Sequence, residues 1–473
     1  MARARQAGER PATTALLESR PERGRFAELQ LVTAAARPVR ERPAGNSPAH
    51  AEPRLLLPLP ASMKRARATT APVTRRQAMA AAGAAAALPV VGSPALGIQP
   101  SGAAEGRLRI EELELTSVRV TERTVWMFVH LKTNLGLVGL GECSLGRRYE
   151  LPALGRAFEA ARSRSPFDIE AYRAAGRERA AAGGIFDATA FSAIEQALWD
   201  LVGKAVDAPV HRLTGGNLRD RLPAYANINR ATRERTPDGF AANARAAVED
   251  GFTAIKAAPF DGFPALDAPG SEVAAAADLG VACVEAIREA VGVEIDILID
   301  CHSFFDVDLA VDVARRLEPQ HLAWYEEPVA PTDVAATKAI ERAIKQRMAG
   351  GEFLFGIEGF APLCREKAVD VIMPDVKHCG GLLEARKIAA VAELDGIAVS
   401  PHNPSGPVAT AASAQLCAGL PNFEILEMQW GEAAWRGDLV LPPERFENGS
   451  IEVPDGPGLG VELNQAVLRE RRI

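Results

Sequence analysis

The chain has 473 residues, a net charge of −7 and 24% charged residues. That length supports two or more domains with sizeable cores and sets aside disulfide-stapled mini-proteins. Beyond residue 97 the chain carries 39 basic against 55 acidic side chains, a balance of −16 that argues against nucleic acid as a partner, because phosphate binding needs a basic face.

Residues 1–62 are rich in Ala, Arg and Pro and show no helical or strand period. The composition is that of a disordered extension, or of a stretch lying upstream of a true start at Met63. From Met63 a basic region leads to Thr74-Arg75-Arg76-Gln77, an apolar run from Ala78 to Val91, and Ser93-Pro94-Ala95 as a small-residue cleavage site. This order predicts a secretory signal over 63–97. Its arginine pair resembles the twin-arginine export signal, which implies a periplasmic protein, or a cytoplasmic one if the signal does not act. The run is too short to span a bilayer, and no later stretch reaches 18 apolar residues without a charge, so no membrane span is expected in the mature form. The six cysteines (Cys143, Cys283, Cys301, Cys364, Cys379 and Cys417) form no C-x-x-C pair and read as buried small apolar residues.

Residues 108–142 alternate in a strand-like way, with Asn134-Leu135-Gly136 as a hairpin turn. Residues 150–213 read as helical. There Phe191, Ile194, Leu198 and Leu201 share one helix face, and Gly215-Gly216 ends the run. An α+β domain over 105–221 follows, completed by a tail from about 430 to 473 that folds back onto it. From Leu222 the pattern changes to strands alternating with amphipathic helices. The strands are expected at Pro223–Asn227, Ala254–Lys256, Ile295–Asp300, Trp324–Glu326, Met348–Glu352, Val371–Pro374, Ile397–Ser400 and Phe423–Leu426. Eight strands separated by helices over 222–429 predict a parallel β/α barrel.

Chemistry in such a barrel sits at the C-terminal ends of the strands. The second strand ends at Lys256, the third at Asp300-Cys301-His302, the fourth at Glu326-Glu327-Pro328 and the fifth at Gly350-Gly351-Glu352. The sixth gives Pro374-Asp375, the seventh Pro401-His402-Asn403 and the eighth Glu427. Acids at the mouths of three consecutive strands converge on one point. A set of carboxylates without thiol or imidazole suits a hard cation, Mg2+ before Zn2+. Mg2+ held there would neutralise the enediolate formed when a carboxylate substrate loses its α-proton. His402 with Asp375 on the neighbouring strand makes a base dyad, since histidine titrates near working pH. An acid at one strand end is equally a helix N-cap, and His50, His130, His211, His321 and His378 read as structural histidines.

Together these segments resemble the enolase superfamily in its mandelate racemase/muconate lactonizing enzyme branch. The likeness spans roughly 108–465 and rests on Gly141-Glu142, Asp300-Cys301-His302, Trp324 through Pro328, Gly351-Glu352, Pro374 through Gly381 and Ser400 through Pro404, with the three acids 26 residues apart. The resemblance implies an α/β fold, a (β/α)7β modified TIM barrel with an α+β capping domain. It also implies Mg2+ on Asp300, Glu326 and Glu352, a His402–Asp375 base, and Glu427 as a carboxyl hydrogen-bonding the substrate carboxylate. Homo-oligomers are common among such proteins.

Racemases of this branch carry Lys-x-Lys at the second strand. Here Lys256-Ala257-Ala258 lacks the second lysine, which counts against two-base racemisation and leaves Lys256 to neutralise the substrate carboxylate. Strand alternation places His302 on the same face as Asp300, where it can protonate a leaving hydroxyl. This Asp-x-His resembles galactonate dehydratases and related acid-sugar dehydratases, which implies conversion of a small sugar acid to a 2-keto-3-deoxy acid. The alternatives are an epimerase, racemase or cycloisomerase of the same branch, and a non-catalytic sugar-acid binding protein. Arg147, Arg148, Tyr149, Asn227 and Asn229 are candidates for contacts to a polyol.

Overall fold

The computed structural model describes residues 108–145 and 151–473. The expected extension and export signal, and with them Arg147, Arg148 and Tyr149, lie outside the described residues.

The chain opens on an antiparallel sheet of β1 (Ile110–Arg119), β2 (Val125–Thr133) and β3 (Val138–Glu142). Gly136, at φ +82°, supplies the left-handed residue that the β2–β3 turn requires. Three helices follow: α1 (Leu151–Ala161), α2 (Ile169–Ala182) and α3 (Gly184–Val206), with the short α4 (Val210–Leu213) after them. The face of α3 predicted from Phe191, Ile194, Leu198 and Leu201 is buried in the core of this domain. Each such side chain contributes roughly 1.5–3 kcal/mol on burial. The sheet lies unusually close to α3. A Cβ on Gly139 or Gly141 would sit 2.2 Å from the carbonyl oxygen of Ala197 or Ala193, so only glycine lets β3 pack there.

The barrel strands are β4 (Arg221–Asn227), β5 (Ala254–Ala257), β6 (Asp296–Asp300), β7 (Trp324–Glu326), β8 (Met348–Gly350), β9 (Val371–Ile372), β10 (Ala398–Val399) and β11 (Leu426–Gln429). Neighbours in this order pair in parallel from β4 to β10, and β11 pairs in parallel with β4. A bridge between Val399 and Phe423 closes the ring. The last strand is therefore Leu426–Gln429 and not Phe423–Leu426; Phe423 makes only that bridge, and the ladder with β4 starts three residues later. Seven helices link the strands: α5 (Pro237–Glu249), α6 (Gly270–Val291), α7 (Val307–Arg316), α8 (Val334–Glu341), α9 (Gly356–Arg365), α10 (Leu382–Leu394) and α11 (Pro407–Cys417). Tyr225, Leu298, Trp324, Ala349, Val371 and Met373 form a separate buried cluster contributed by alternating strand positions, the filling of a closed barrel.

The helix starts explain why the strand-end acids are free for other work. In the βα loops the N-caps are Thr236, Asp306 and Asp333, whose side chains accept from Gly239, Leu309 and Ala336 N–H. Asp300 and Glu326 cap nothing. The capping domain supplies two further helix caps across the domain boundary. Glu142 accepts from Gly406 and Ala409 N–H at the start of α11, at 2.7 and 2.9 Å. Glu195 accepts from Leu382 and Leu383 N–H at the start of α10, at 2.7 and 2.9 Å. A carboxyl oxygen at a helix N-terminus satisfies N–H groups that the helix leaves unpaired. These contacts pin the capping domain over the barrel mouth.

The tail returns to the first domain. Leu459 N–H donates to Asp200 on α3 at 2.8 Å, and the closing helix α12 (Gln465–Arg471) is followed by a bridge from Arg472 to Val118 on β1. All six cysteines are free and buried. Among the described residues no helix is long and apolar enough to cross a membrane.

Candidate active site

Parallel pairing sets the site. Asp300 on β6 stands in register with Glu326 on β7, and Glu352 follows β8 by two residues. One oxygen from each of these three buried carboxylates falls within 4.8 Å of the others. Lys256 on β5 is the buried cation among them, its Nζ 2.5 Å from Glu326 Oε1, 3.3 Å from Asp300 Oδ2 and 3.6 Å from Glu427 Oε1. Trp324 Nε1 donates to Glu326 Oε2 at 3.0 Å. Glu352 Oε2 is buried without a hydrogen-bond donor, although His402 Nε2 lies 3.2 Å away. Burial, followed by the charge of Asp300, raises Glu326 and Glu352 well above the ordinary carboxylate range. Asp300 is itself held low despite burial, by His302 and Lys256. An orphaned carboxylate oxygen, an all-oxygen donor set and more acid than one lysine can balance fit a hard divalent cation. Asp300, Glu326 and Glu352 are the residues that would hold it.

His402 and Asp375 come together as predicted from the sequence, with Nδ1 2.8 Å from Asp375 Oδ2. Asp375 is nearly inaccessible. Its Oδ1 accepts from Lys377 N–H at 2.7 Å, while Lys377 Nζ lies 3.4 Å and His378 Nε2 3.6 Å from Oδ2. Burial alone would raise this acid, but Lys377, His378 and His402 hold it well below the usual range. His378 is pushed down to about 3, chiefly by burial, and its Nδ1 meets Thr189 Oγ1 of the capping domain at 2.9 Å. The Phe353 ring, half exposed, stands 5.8 Å from the His402 ring and forms an apolar wall beside it.

His302 reaches the site by a route that strand alternation did not foresee. The strand β6 stops at Asp300, and His302 and Ser303 turn through φ +46° and +59°. Such conformations cost about 1–3 kcal/mol each in non-glycine residues. Ser303 N–H donates to Glu327 O at 2.7 Å, which ties the turn to the end of β7. His302 Nε2 lies 3.1 Å from Asp300 Oδ2, and Nδ1 lies 2.5 Å from Asp261 Oδ1. Burial lowers the affinity of this imidazole for protons, but Asp300 and Asp261 together raise its pKa well above the ordinary value.

Glu427 and Lys256 are both engaged with neighbours inside the site. Both oxygens of Glu427 already accept, from Asn227 Nδ2 at 2.6 Å and Asn403 N–H at 2.8 Å. Burial raises this acid, but Lys256 and His402 bring it below the ordinary range, and its Oε1 lies 3.6 Å from Lys256 Nζ. Lys256 is engaged with the acidic cluster itself. Asn227 and Asn229 spend their amide N–H groups on Glu427 and on Asp261, so their first task is to position these acids.

Sequence reading missed Asp261, Glu327, Phe353 and Thr189. Glu327 accepts from Gly351 and Glu352 N–H at 2.7 and 3.3 Å and so fixes the backbone that carries Glu352. The doubled Glu326-Glu327 was visible, but nothing in it distinguished ligand from support. Asp261 lies in an Asp-Gly turn after β5 and carried no signal beyond that of a turn.

Comparison with known proteins agrees with this geometry. Residues 110–215 match the N-terminal domain of mandelate racemase/muconate lactonizing enzymes, and residues 239–467 match the enolase C-terminal domain-like family. D-gluconate dehydratase of Thermoproteus tenax is 36% identical over 354 residues, covering 73% of this chain and 69% of that protein. D-galactonate dehydratase of Verminephrobacter eiseniae is 32% identical over 372 residues, covering 76% of this chain and 93% of that protein. The crystal structure of the mandelate racemase/muconate lactonizing enzyme from Sulfitobacter sp matches with a TM-score of 0.69 at 30% identity, over 77% of this chain and 95% of that one. Both domains are matched in order around one acidic cluster, and the chain belongs to the mandelate racemase/muconate lactonizing enzyme branch of the enolase superfamily.

Proposed function

We propose that the protein is a metal-dependent acid-sugar dehydratase, which removes the proton next to the carboxylate of an aldonic acid and expels the 3-hydroxyl as water. The observation that carries this is the pair of imidazoles flanking the acidic cluster. His402 Nε2 and His302 Nε2 each stand about 3 Å from a different carboxylate of the cluster, and each has its Nδ1 on an aspartate. Elimination needs a base at C2 and an acid at C3, and the site offers one of each.

Mg2+ held by Asp300, Glu326 and Glu352 would supply positive charge beside the substrate carboxylate as C2 loses its proton. The protein does the rest. Asp375 accepts from His402 Nδ1, which leaves Nε2 free to take the C2 proton. His302 keeps Nδ1 on Asp261 and turns Nε2 to the cluster, from where it can give a proton to the leaving oxygen. The product is an enol that tautomerises to a 2-keto-3-deoxy acid. Relatives that act on D-gluconate and D-galactonate support an aldonate as the substrate class.

The test is incubation with Mg2+ and a panel of aldonic acids, read as 2-keto-3-deoxy product. Formation of such a product, its loss on chelation and its loss in His402→Asn support the reading. Deuterium uptake at C2 without any keto product would favour an isomerase of the same branch. We further propose that residues 63–97 export the protein by the twin-arginine route, on the order of basic, apolar and small residues in that segment. Fused to a reporter, the segment should deliver it to the periplasm, and changing Arg75 and Arg76 to Lys should retain it in the cytoplasm.

A further inference from the structure

We propose that Asp261 is the positioning residue of the acid half of this reaction, holding His302 so that Nε2 and not Nδ1 faces the departing hydroxyl. The inference rests on the dehydratase reading above and deepens it.

Asp261 sits in the loop after β5, outside every motif in the sequence. Oδ1 lies 2.5 Å from His302 Nδ1. Oδ2 accepts from Asn229 Nδ2 at 2.9 Å and pairs with Arg235 Nη2 at 3.1 Å. Arg235 also donates to Ala258 O and lies over the Phe240 ring, so it is anchored from the barrel wall. An aspartate serving only its turn accepts from a backbone N–H near in sequence. Asp261 does not: both of its oxygens are committed to side chains from other segments.

The consequence for His302 is specific. A carboxylate only accepts hydrogen bonds, so the nitrogen facing it carries a proton. Nδ1–H is thereby fixed, and Nε2 is the nitrogen turned to the acidic cluster. His302 has little else to hold it. It lies beyond the end of β6, and its side chain is 35% exposed. Remove Asp261, and the ring keeps one contact and gains the freedom to rotate or change tautomer. In the reaction the C2 proton passes to His402 Nε2, and the electrons of that C–H bond become the C2–C3 double bond as C3–O breaks. The proton on His302 Nε2 leaves with the oxygen as water, and His302 ends neutral with Nδ1–H still on Asp261.

The experiment uses the full chain with Mg2+, an aldonate that the wild type dehydrates, and the 3-deoxy-3-fluoro analogue of that aldonate. Fluoride departs without a proton donor, so the analogue needs the base but not the acid. Asp261→Ala and Asp261→Asn should lower kcat for dehydration about 10- to 100-fold, the usual loss when an orienting partner is removed, with KM changed less than about threefold. Fluoride release should stay within about threefold of wild type, and Asp261→Glu should recover part of the dehydration. Mn2+ binding to each variant reports an intact acidic cluster. If Asp261→Ala fails to bind Mn2+, Asp261→Asn decides. Parallel loss of fluoride release and dehydration overturns the proposal, as does unchanged dehydration in the Ala and Asn variants. A wild type that produces no keto acid overturns the dehydratase reading and this proposal together.

Discussion

Two histidine–aspartate pairs face the same acidic cluster from two kinds of surroundings. His402–Asp375 is sealed: the aspartate is 1% exposed, backed by Lys377 and His378, and the capping domain closes over it through Thr189 and Ser144. His302–Asp261 is open, with side chains 35% and 29% exposed, and it is backed by Asn229 and Arg235 at the rim. The unit is the same, Nδ1 on a carboxylate and Nε2 toward the cluster. What differs is the charge and water around it. Lys377 shares the charge of Asp375 behind His402, whereas His302 stands between two carboxylates, Asp300 and Asp261, which raise its affinity for a proton. Environment, and not residue type, assigns acid and base.

The comparison breaks most completely at the base. His402→Asn should remove both C2 deuterium exchange and keto product by at least about 1,000-fold, since it takes away the imidazole that Asp375 holds beside Glu352. His302→Ala should separate the two halves. Dehydration falls about 100- to 1,000-fold, while C2 exchange catalysed by His402 survives, as NMR of recovered substrate in D2O would show. Thr189→Val removes a hydrogen bond to His378 on the sealed side only. It should slow C2 exchange a few-fold and leave the acid step untouched, so the effect on dehydration should not exceed the effect on exchange.

The smallest effect concerns the seal itself. Burial raises Glu195 to about 7, with the Leu382 and Leu383 N–H groups and Trp199 acting against it. Its folded value thus lies above its unfolded one, so the folded state binds the proton more tightly, and stability falls as pH rises from about 4 through about 7. Glu195→Gln cannot ionise and should flatten that decline. The melting temperature of the variant should gain on wild type by about 2 °C between pH 5 and pH 8 in calorimetry.

Much of this was legible from periodicity. Parallel barrel strands are short apolar runs that end at the chemistry, so Asp300, Glu326, Glu352, Asp375 and His402 could be placed by counting strand ends. The same logic misplaced the final strand by three residues, because Phe423 and Leu426 both look like strand residues and only pairing with β4 decides between them. It reached His302 for the wrong geometric reason, since a sequence period does not reveal where a strand stops. It could not find Asp261, which touches His302 across 41 residues from a loop without a period. Nor could it show that both oxygens of Glu427 accept from Asn227 and Asn403, because hydrogen-bond commitment is a property of assembled loops.

The most direct measurement is NMR of the wild-type protein in D2O with Mg2+ and the aldonate panel. The expected result is a 2-keto-3-deoxy acid carrying solvent deuterium at C3, absent when the metal is chelated. Recovery of substrate deuterated at C2, with no keto acid from any aldonate, would contradict it and leave His302 without its role as the acid.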